Sequence, residues 1–266
     1  MKDSRKIILF ATLILCLGLP LFAESQESKP ETRDIVLKDG LTKRIRLGTT
    51  GNIAYEETRL NGKLHGTRIQ YYDNGKIDSV VEFANGKRDG KWVKFYKDGT
   101  LILELTWKNG KRHGLHRGWY LNGRIKYETH YEKGHLLNGK YYKANGQVGS
   151  EIENGNGCAC QYHSNGTLKR KTEYKNGLPD GETLKYHEDG HLYEKWTWSK
   201  GRMHGERTFF FEAGKFSCKG TMKDNRPFGK WVHYYENGNI KRVENYVDGQ
   251  IVTVERYDEY GKKIDD

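Results

Sequence analysis

The chain has 266 residues, only 35% of them hydrophobic, and a mean hydropathy of −0.91, which argues against a large single-core globule. Gly is abundant (32) and Pro scarce (4), and the apolar content leans on 18 Tyr, 9 Phe and 6 Trp, an aromatic load that a disordered chain would not carry. The formal charge of +11 favours anionic surfaces as partners, or else marks a soluble sheet studded with charge.

The first segment reads as a targeting signal. Lys2, Arg5 and Lys6 form a basic start, Ile7 to Leu19 is apolar, and Pro20 with the small Ala23 offers a cleavage site. A secretory signal peptide over residues 1–23 is the expectation. The run is shorter than the ~20 residues that a spanning helix needs, which disfavours an uncleaved anchor. Leu13–Cys16 resembles a lipoprotein box, but Leu15 stands where a small residue is expected, so lipidation at Cys16 is disfavoured. Cleavage leaves 43 Lys+Arg against 34 Asp+Glu, a net +9. Nucleic acid is a poor match for an exported chain. The expected destination is the periplasm, the cell surface or the medium.

Residues 24–50 form a polar lead-in and a degenerate first unit. From there to residue 266 the sequence repeats itself, with a dominant step of 24 residues that contracts around 139–166. One copy, Asn85 to Trp107, reads NGKRDGKWVKFYKDGTLILELTW. Four residues before the later glycine of each copy stands an aromatic: Tyr71, Phe95, Trp119, Tyr142, Tyr162, Tyr186, Phe210 and Tyr234. Two residues after that glycine comes an apolar residue, from Ile77 and Leu101 through to Ile240. Even offsets point side chains to one face of a strand, and the DNG, KDG, EDG and ENG triplets between strands favour tight turns. Each unit is therefore a β-hairpin, and the fold expected is all-β: an elongated, single-layer antiparallel meander of repeated hairpins.

The stretches NGKLHGTRIQYYDNGKI, NGKRDGKWVKFYKDGTL and RPFGKWVHYYENGNI resemble the bacterial variant of the MORN repeat, over roughly residues 51–261. The resemblance implies a twisted hairpin array that serves as a scaffold, with no catalytic activity intrinsic to the repeat. Bacterial members are often labelled antitoxin-like, and eukaryotic relatives are associated with membranes and protein assembly. The shortened copy, Phe228 in place of a polar turn residue and Asn225 in place of Gly depart from the pattern.

Three features invite chemistry. HEDGH at residues 187–191 matches the H-E-x-x-H zinc signature, which requires a helix to bring both imidazoles to one face. In the repeat, it straddles a hairpin turn instead. His65, His113 and His204 share one slot with Asp89, Asn138 and Asp180, just before a glycine. Their units lie about 10 Å apart, too far to share a metal, so the shared slot is assigned to unusual backbone angles tolerated by these residues. Cys158, Cys160 and Cys218 are candidate reactive thiols, an odd number in an exported chain; the simpler role is that of small buried residues, Cys160 above all. No catalytic, metal or cofactor site is expected.

The aromatic ladder from Tyr71 to Tyr234 is the candidate binding surface, with the sheet's core as its simpler role. The function expected is a non-catalytic protein-binding scaffold at the cell envelope. The alternatives are a module for anionic lipid or cell-wall glycan, and an antitoxin- or immunity-like protein whose toxin acts outside the cytoplasm.

Overall fold

The computed structural model describes residues 31–264, so the segment expected to be a signal peptide, with Cys16, lies outside the described residues. Among the described residues all regular structure is β: 22 strands, from Thr32–Val36 to Lys263–Ile264, form one antiparallel sheet in which successive strands pair. Lys111–Arg112 and Gly114–Trp119 are two pieces of one strand position, since both pair with Leu101–Lys108. No helix of these residues is long and apolar enough to cross a membrane.

Two turn types alternate, each written in the sequence. In Asn85-Gly86 both residues have positive φ (51° and 81°), which matches the right-handed twist of the flanking strands. The other turn spans Asp73-Asn74-Gly75: Gly75 N–H donates to Tyr72 O (2.9 Å) and Tyr72 N–H to Lys76 O (2.8 Å), with Gly75 left-handed at φ 78°. Each Asn-Gly turn also leans on the unit before it. Gly86 N–H donates to Leu64 O (2.7 Å), and Gly110 N–H to Arg88 O (2.8 Å), so a second ladder of backbone bonds runs along that edge.

The shortened copy is where the sheet curls most. Leu136 N–H donates to Gly177 O and Gly177 N–H to Gly155 O, both at 2.9 Å, which draws three turns together. Val148–Glu153 and Asn156–Tyr162 retain only two paired residues. The curl closes a core of Tyr131, Leu136, Tyr141, Ile152 and Ala159, with Tyr127 and Tyr174 against it. A shortened hairpin thus borders the larger of two buried clusters among the described residues.

Register separates the two faces. Val81 pairs with Trp92, Trp92 with Leu105, His116 with Thr129, Thr183 with Trp196, and Trp231 with Glu244. Nearly all the buried side chains stand on this face, called inner below. The opposite, outer face carries Tyr71 across from Ile77, Phe95 from Leu101 and Tyr234 from Ile240, each at a bulge in the register.

Candidate binding faces

The aromatic ladder lies on the outer face, away from the main core. Only Tyr162 of its eight members is buried; Tyr71, Phe95, Trp119, Tyr142, Tyr186, Phe210 and Tyr234 are half-buried. Their cross-strand partners Ile77, Val148, Phe216 and Ile240 remain exposed, so the ladder is one half of an apolar strip that recurs in every unit. Tyr71 is also held by a hydrogen bond from its hydroxyl to Glu56 Oε1 (2.6 Å). Beside the strip the outer face is studded with ion pairs: Lys43–Glu56 (2.6 Å), Arg117–Glu128 (2.7 Å), Lys195–Glu206 (3.4 Å) and Lys140–Glu151 (3.6 Å).

A neighbouring position escaped the sequence reading. In four units the residue after the ladder aromatic ties its unit to the next: Tyr72 OH donates to Phe95 O (2.6 Å), Tyr120 OH to Tyr142 O (2.7 Å) and Tyr235 OH to Tyr257 O (2.9 Å), while His163 Nε2 lies 3.0 Å from Tyr186 O. The signal was present, since Tyr or His recurs at 72, 96, 120, 163, 187 and 235.

The slot before the second glycine has a different cause from the one expected. None of His65, Asp89, His113, Asn138, Asp180 and His204 adopts positive φ; the glycines after them do, except Gly139. Several of these side chains instead accept a hydrogen bond from the backbone N–H of the turn asparagine in the next unit. Asn109 N–H donates to Asp89 Oδ2 (3.0 Å), Asn154 N–H to Asn138 Oδ1 (3.1 Å) and Asn85 N–H to His65 Nδ1 (3.5 Å); Asn156, before Gly157, accepts from Asn176 N–H in the same way (3.2 Å). What the slot selects is an acceptor, not a backbone angle.

HEDGH forms a hairpin turn, with His187 N–H donating to His191 O (2.9 Å). The His187 ring lies 4.6 Å from the Tyr193 ring, and His191 Nδ1 is 3.1 Å from Asp189, so the two imidazoles serve different neighbours. Cys158 and Cys160 stand across from Glu173 and Lys171 on the outer face, and Cys218 packs with Met222 and Trp231 on the inner one. All three are free thiols. Burial raises the Cys158 thiol and pushes Cys218 up to about 11, which leaves little thiolate at neutral pH. Cys218 Sγ, His233 and Glu244 look at first like a nucleophilic triad, at 3.8 and 3.1 Å. Both contacts fall on the same nitrogen, Nε2, so the ring cannot pass a proton from thiol to carboxylate.

The inner face is basic and aromatic, and three of its carboxylates are almost wholly buried: Glu57 (2% exposed), Glu194 (3%) and Glu244 (5%). Each is braced by two basic side chains. Glu57 meets Arg59 at 2.7 Å and Arg68 at 3.4 Å; Glu194 meets Lys185 and Arg207, both at 2.7 Å; Glu244 meets Arg242 at 3.0 Å and His233 at 3.1 Å. Burial alone would raise Glu244, but the His233 and Tyr246 hydrogen bonds and the Arg242 charge hold it below its usual range. At this end a groove of about 1000 Å³ opens on the inner face among Arg207, Phe209, Trp231, Arg242 and Tyr246. Cations also lie over rings: Arg68 over Tyr55 (4.6 Å), Arg88 over Trp92 (4.6 Å) and Trp107 (5.1 Å), and Lys185 over Trp196 (4.8 Å).

Six stretches match the family model of the MORN repeat variant: 64–85, 88–109, 112–133, 155–176, 179–200 and 229–248. A search of the curated proteins found no match. Solved structures with some likeness include TcdB2-TccC3-TEV (12% identity, TM-score 0.21, covering 86% of this chain and 15% of that one) and TcdB2-TccC3 without its hypervariable C-terminal region (11%, 0.15, 85% and 17%). A porin-like protein from Bacteroides uniformis is a third (6%, 0.17, 83% and 91%). The chain spans less than a fifth of the first two, and at these TM-scores the likenesses carry no argument.

Proposed function

We propose that this chain, which its six matching stretches make a MORN-repeat protein, is an exported, non-catalytic scaffold that binds a protein partner at the cell envelope. The β-meander of such repeats is a non-enzymatic repeat fold, and MORN repeats point to a repeat-based binding scaffold. The observation that carries the reading is continuity. Copy after copy presents the same apolar strip on one face and the same row of rings and cations on the other, so surface grows with copy number. Export rests on the basic start, apolar run and Ala23 of the N-terminal sequence.

Cross-linking in cells that express the full chain with an epitope tag tests both halves. A saturable protein adduct in the envelope fraction supports the scaffold; a chain that stays in the cytoplasm, or that yields no adduct, overturns it. The net +9 of the processed chain favours a second reading, an envelope module for anionic lipid or cell-wall glycan. Salt-sensitive sedimentation with anionic vesicles or purified wall, in the absence of a protein adduct, would select that reading.

A further inference from the structure

The inner face carries buried carboxylates among its cations at both flanks but none in the middle. At the flanks, Glu57 and Glu194 each sit between two cations, and Glu244 between Arg242 and His233. From Lys94, which pairs with Asp78 at 3.4 Å, to Lys185, which pairs with Glu194, no ladder position on this face carries a carboxylate. Yet Arg112, Lys126 and Arg170 stand there, with Arg88 just before Lys94, and among the described residues none of them has an ion pair with a carboxylate. Arg88 lies over two indoles, and Arg112 donates to Tyr131 OH (3.1 Å). Arg170 Nε is buried with no hydrogen-bond partner, as are Arg68 Nε and Arg242 Nε at the flanks, but Arg170 alone of the three lacks a carboxylate beside it. Lys126 is lowered by burial and then by the like charges of Lys169 and Arg170, the mark of cations gathered without a counter-charge. The rings around them, Tyr127, Tyr131, Tyr141 and Tyr174, belong to the curled core and its margin.

We propose that the middle of the inner face docks an extended acidic polypeptide segment, whose Asp or Glu carboxylates stand beside Arg112, Lys126 and Arg170 as Glu57, Glu194 and Glu244 stand beside their cations at the flanks. The inference rests on the scaffold reading and specifies the chemistry of its partner. Three carboxylates already seated on this face show what its guanidinium groups accept, and Arg holds a carboxylate in a two-pronged bond. The shape favours a chain over a membrane. Arg112 is exposed, but Lys126 and Arg170 are half-buried among the rings, where a planar layer of headgroups meets only their tips. Carboxylates on alternate residues of an extended segment are about 7 Å apart on one side and can enter. The charge balance of the outer face, with its ion pairs, offers such a segment no comparable stretch.

The test uses the full processed chain and a fluorescein-labelled Glu-rich peptide, with binding followed by anisotropy at low salt. The double variant Lys126→Gln with Arg170→Gln should weaken binding at least about tenfold. The outer-face double variant Arg117→Gln with Lys140→Gln removes the same charge and should stay within about twofold of the parent. Equal losses in the two would reduce the effect to net charge and overturn the proposal, as would absence of binding to the peptide. Anionic vesicles serve as the competing probe: if they bind and the inner-face variant weakens them as much, the site belongs to lipid. Should the peptide bind as expected while cross-linking in cells yields no protein, the scaffold reading fails and the chemistry of the face stands. Should a partner be captured that the inner-face variant does not weaken, this inference alone fails.

Discussion

The flanks and the middle of the inner face are built on the same hairpin and the same ladder of pairs, yet they solve charge differently. Near residues 57, 194 and 244 a carboxylate is buried within a cradle of cations. Between residues 88 and 170 the cations remain and the carboxylate is missing. The repeat therefore dictates backbone, turn chemistry and ring positions, whereas the charge on each unit is free to vary. Where charge departs from neutrality inside a regular array, the departure cannot be ascribed to the array.

Four experiments probe the difference, from the largest expected effect to the smallest. Glu194→Gln strands Lys185 and Arg207 on a buried flank and should cost on the order of 3 to 5 kcal/mol in denaturant unfolding. If the cost is under about 1 kcal/mol, the flank cradles do not hold the fold. The second concerns pH. His116 in the middle is 1% exposed, and burial pushes its imidazole from 6.5 down to about 4. The folded state favours the neutral ring, so this stability is complete above pH ~6.5 and falls by about 3 kcal/mol as the pH drops towards 4. Urea titrations across that window should show the fall, and His116→Gln should flatten it. Glu244 on the flank, held below its usual range, adds its own loss only lower, as the pH passes down through the carboxylate range.

The third compares packing rather than charge. A Cβ at Gly220 on the flank would lie 2.2 Å from the Trp231 ring, and one at Gly118 in the middle 2.3 Å from the Tyr127 ring. Gly220→Ala and Gly118→Ala should each lose roughly 2 kcal/mol by thermal unfolding, because the rings must move. Similar losses would confirm that the regions share one packing scheme, and unequal ones would break the comparison at its root. The smallest effect is expected from Lys126→Gln with Arg170→Gln, within about 0.5 kcal/mol of the parent or more stable, since no buried counter-charge is left behind.

The architecture was legible because recurrence did the work of an alignment. The turns at Asn85-Gly86 and Asp73-Asn74-Gly75, the shared face of Tyr71 and Ile77, and the hairpin around His187–His191 all follow from spacing and turn chemistry. The acceptor slot at Asp89 and Asn138 was seen but misassigned, because a hydrogen bond to a backbone N–H in the next unit lies about 20 residues away and leaves no local trace. The Tyr72 and Tyr120 links to the next unit were missed for the same reason. Burial on one face was not legible either. Alternation says which residues share a face, but only the curl at 136–177 says which face closes. The buried Glu57, Glu194 and Glu244 look like ordinary strand charges in the sequence: Arg59 and Arg242 reach them from two residues along the same strand, but Arg68, Lys185, Arg207 and His233 come from neighbouring strands.

The most direct measurement is the unfolding midpoint of Lys126→Gln with Arg170→Gln beside that of Glu194→Gln, on the same chain in the same buffer. Cations kept for a partner contribute nothing to the fold, so the inner-face double variant should unfold at or above the parent's midpoint while Glu194→Gln falls well below it. A fall in the double variant as large as that of Glu194→Gln would show that the middle cations hold the sheet together, and would contradict the account.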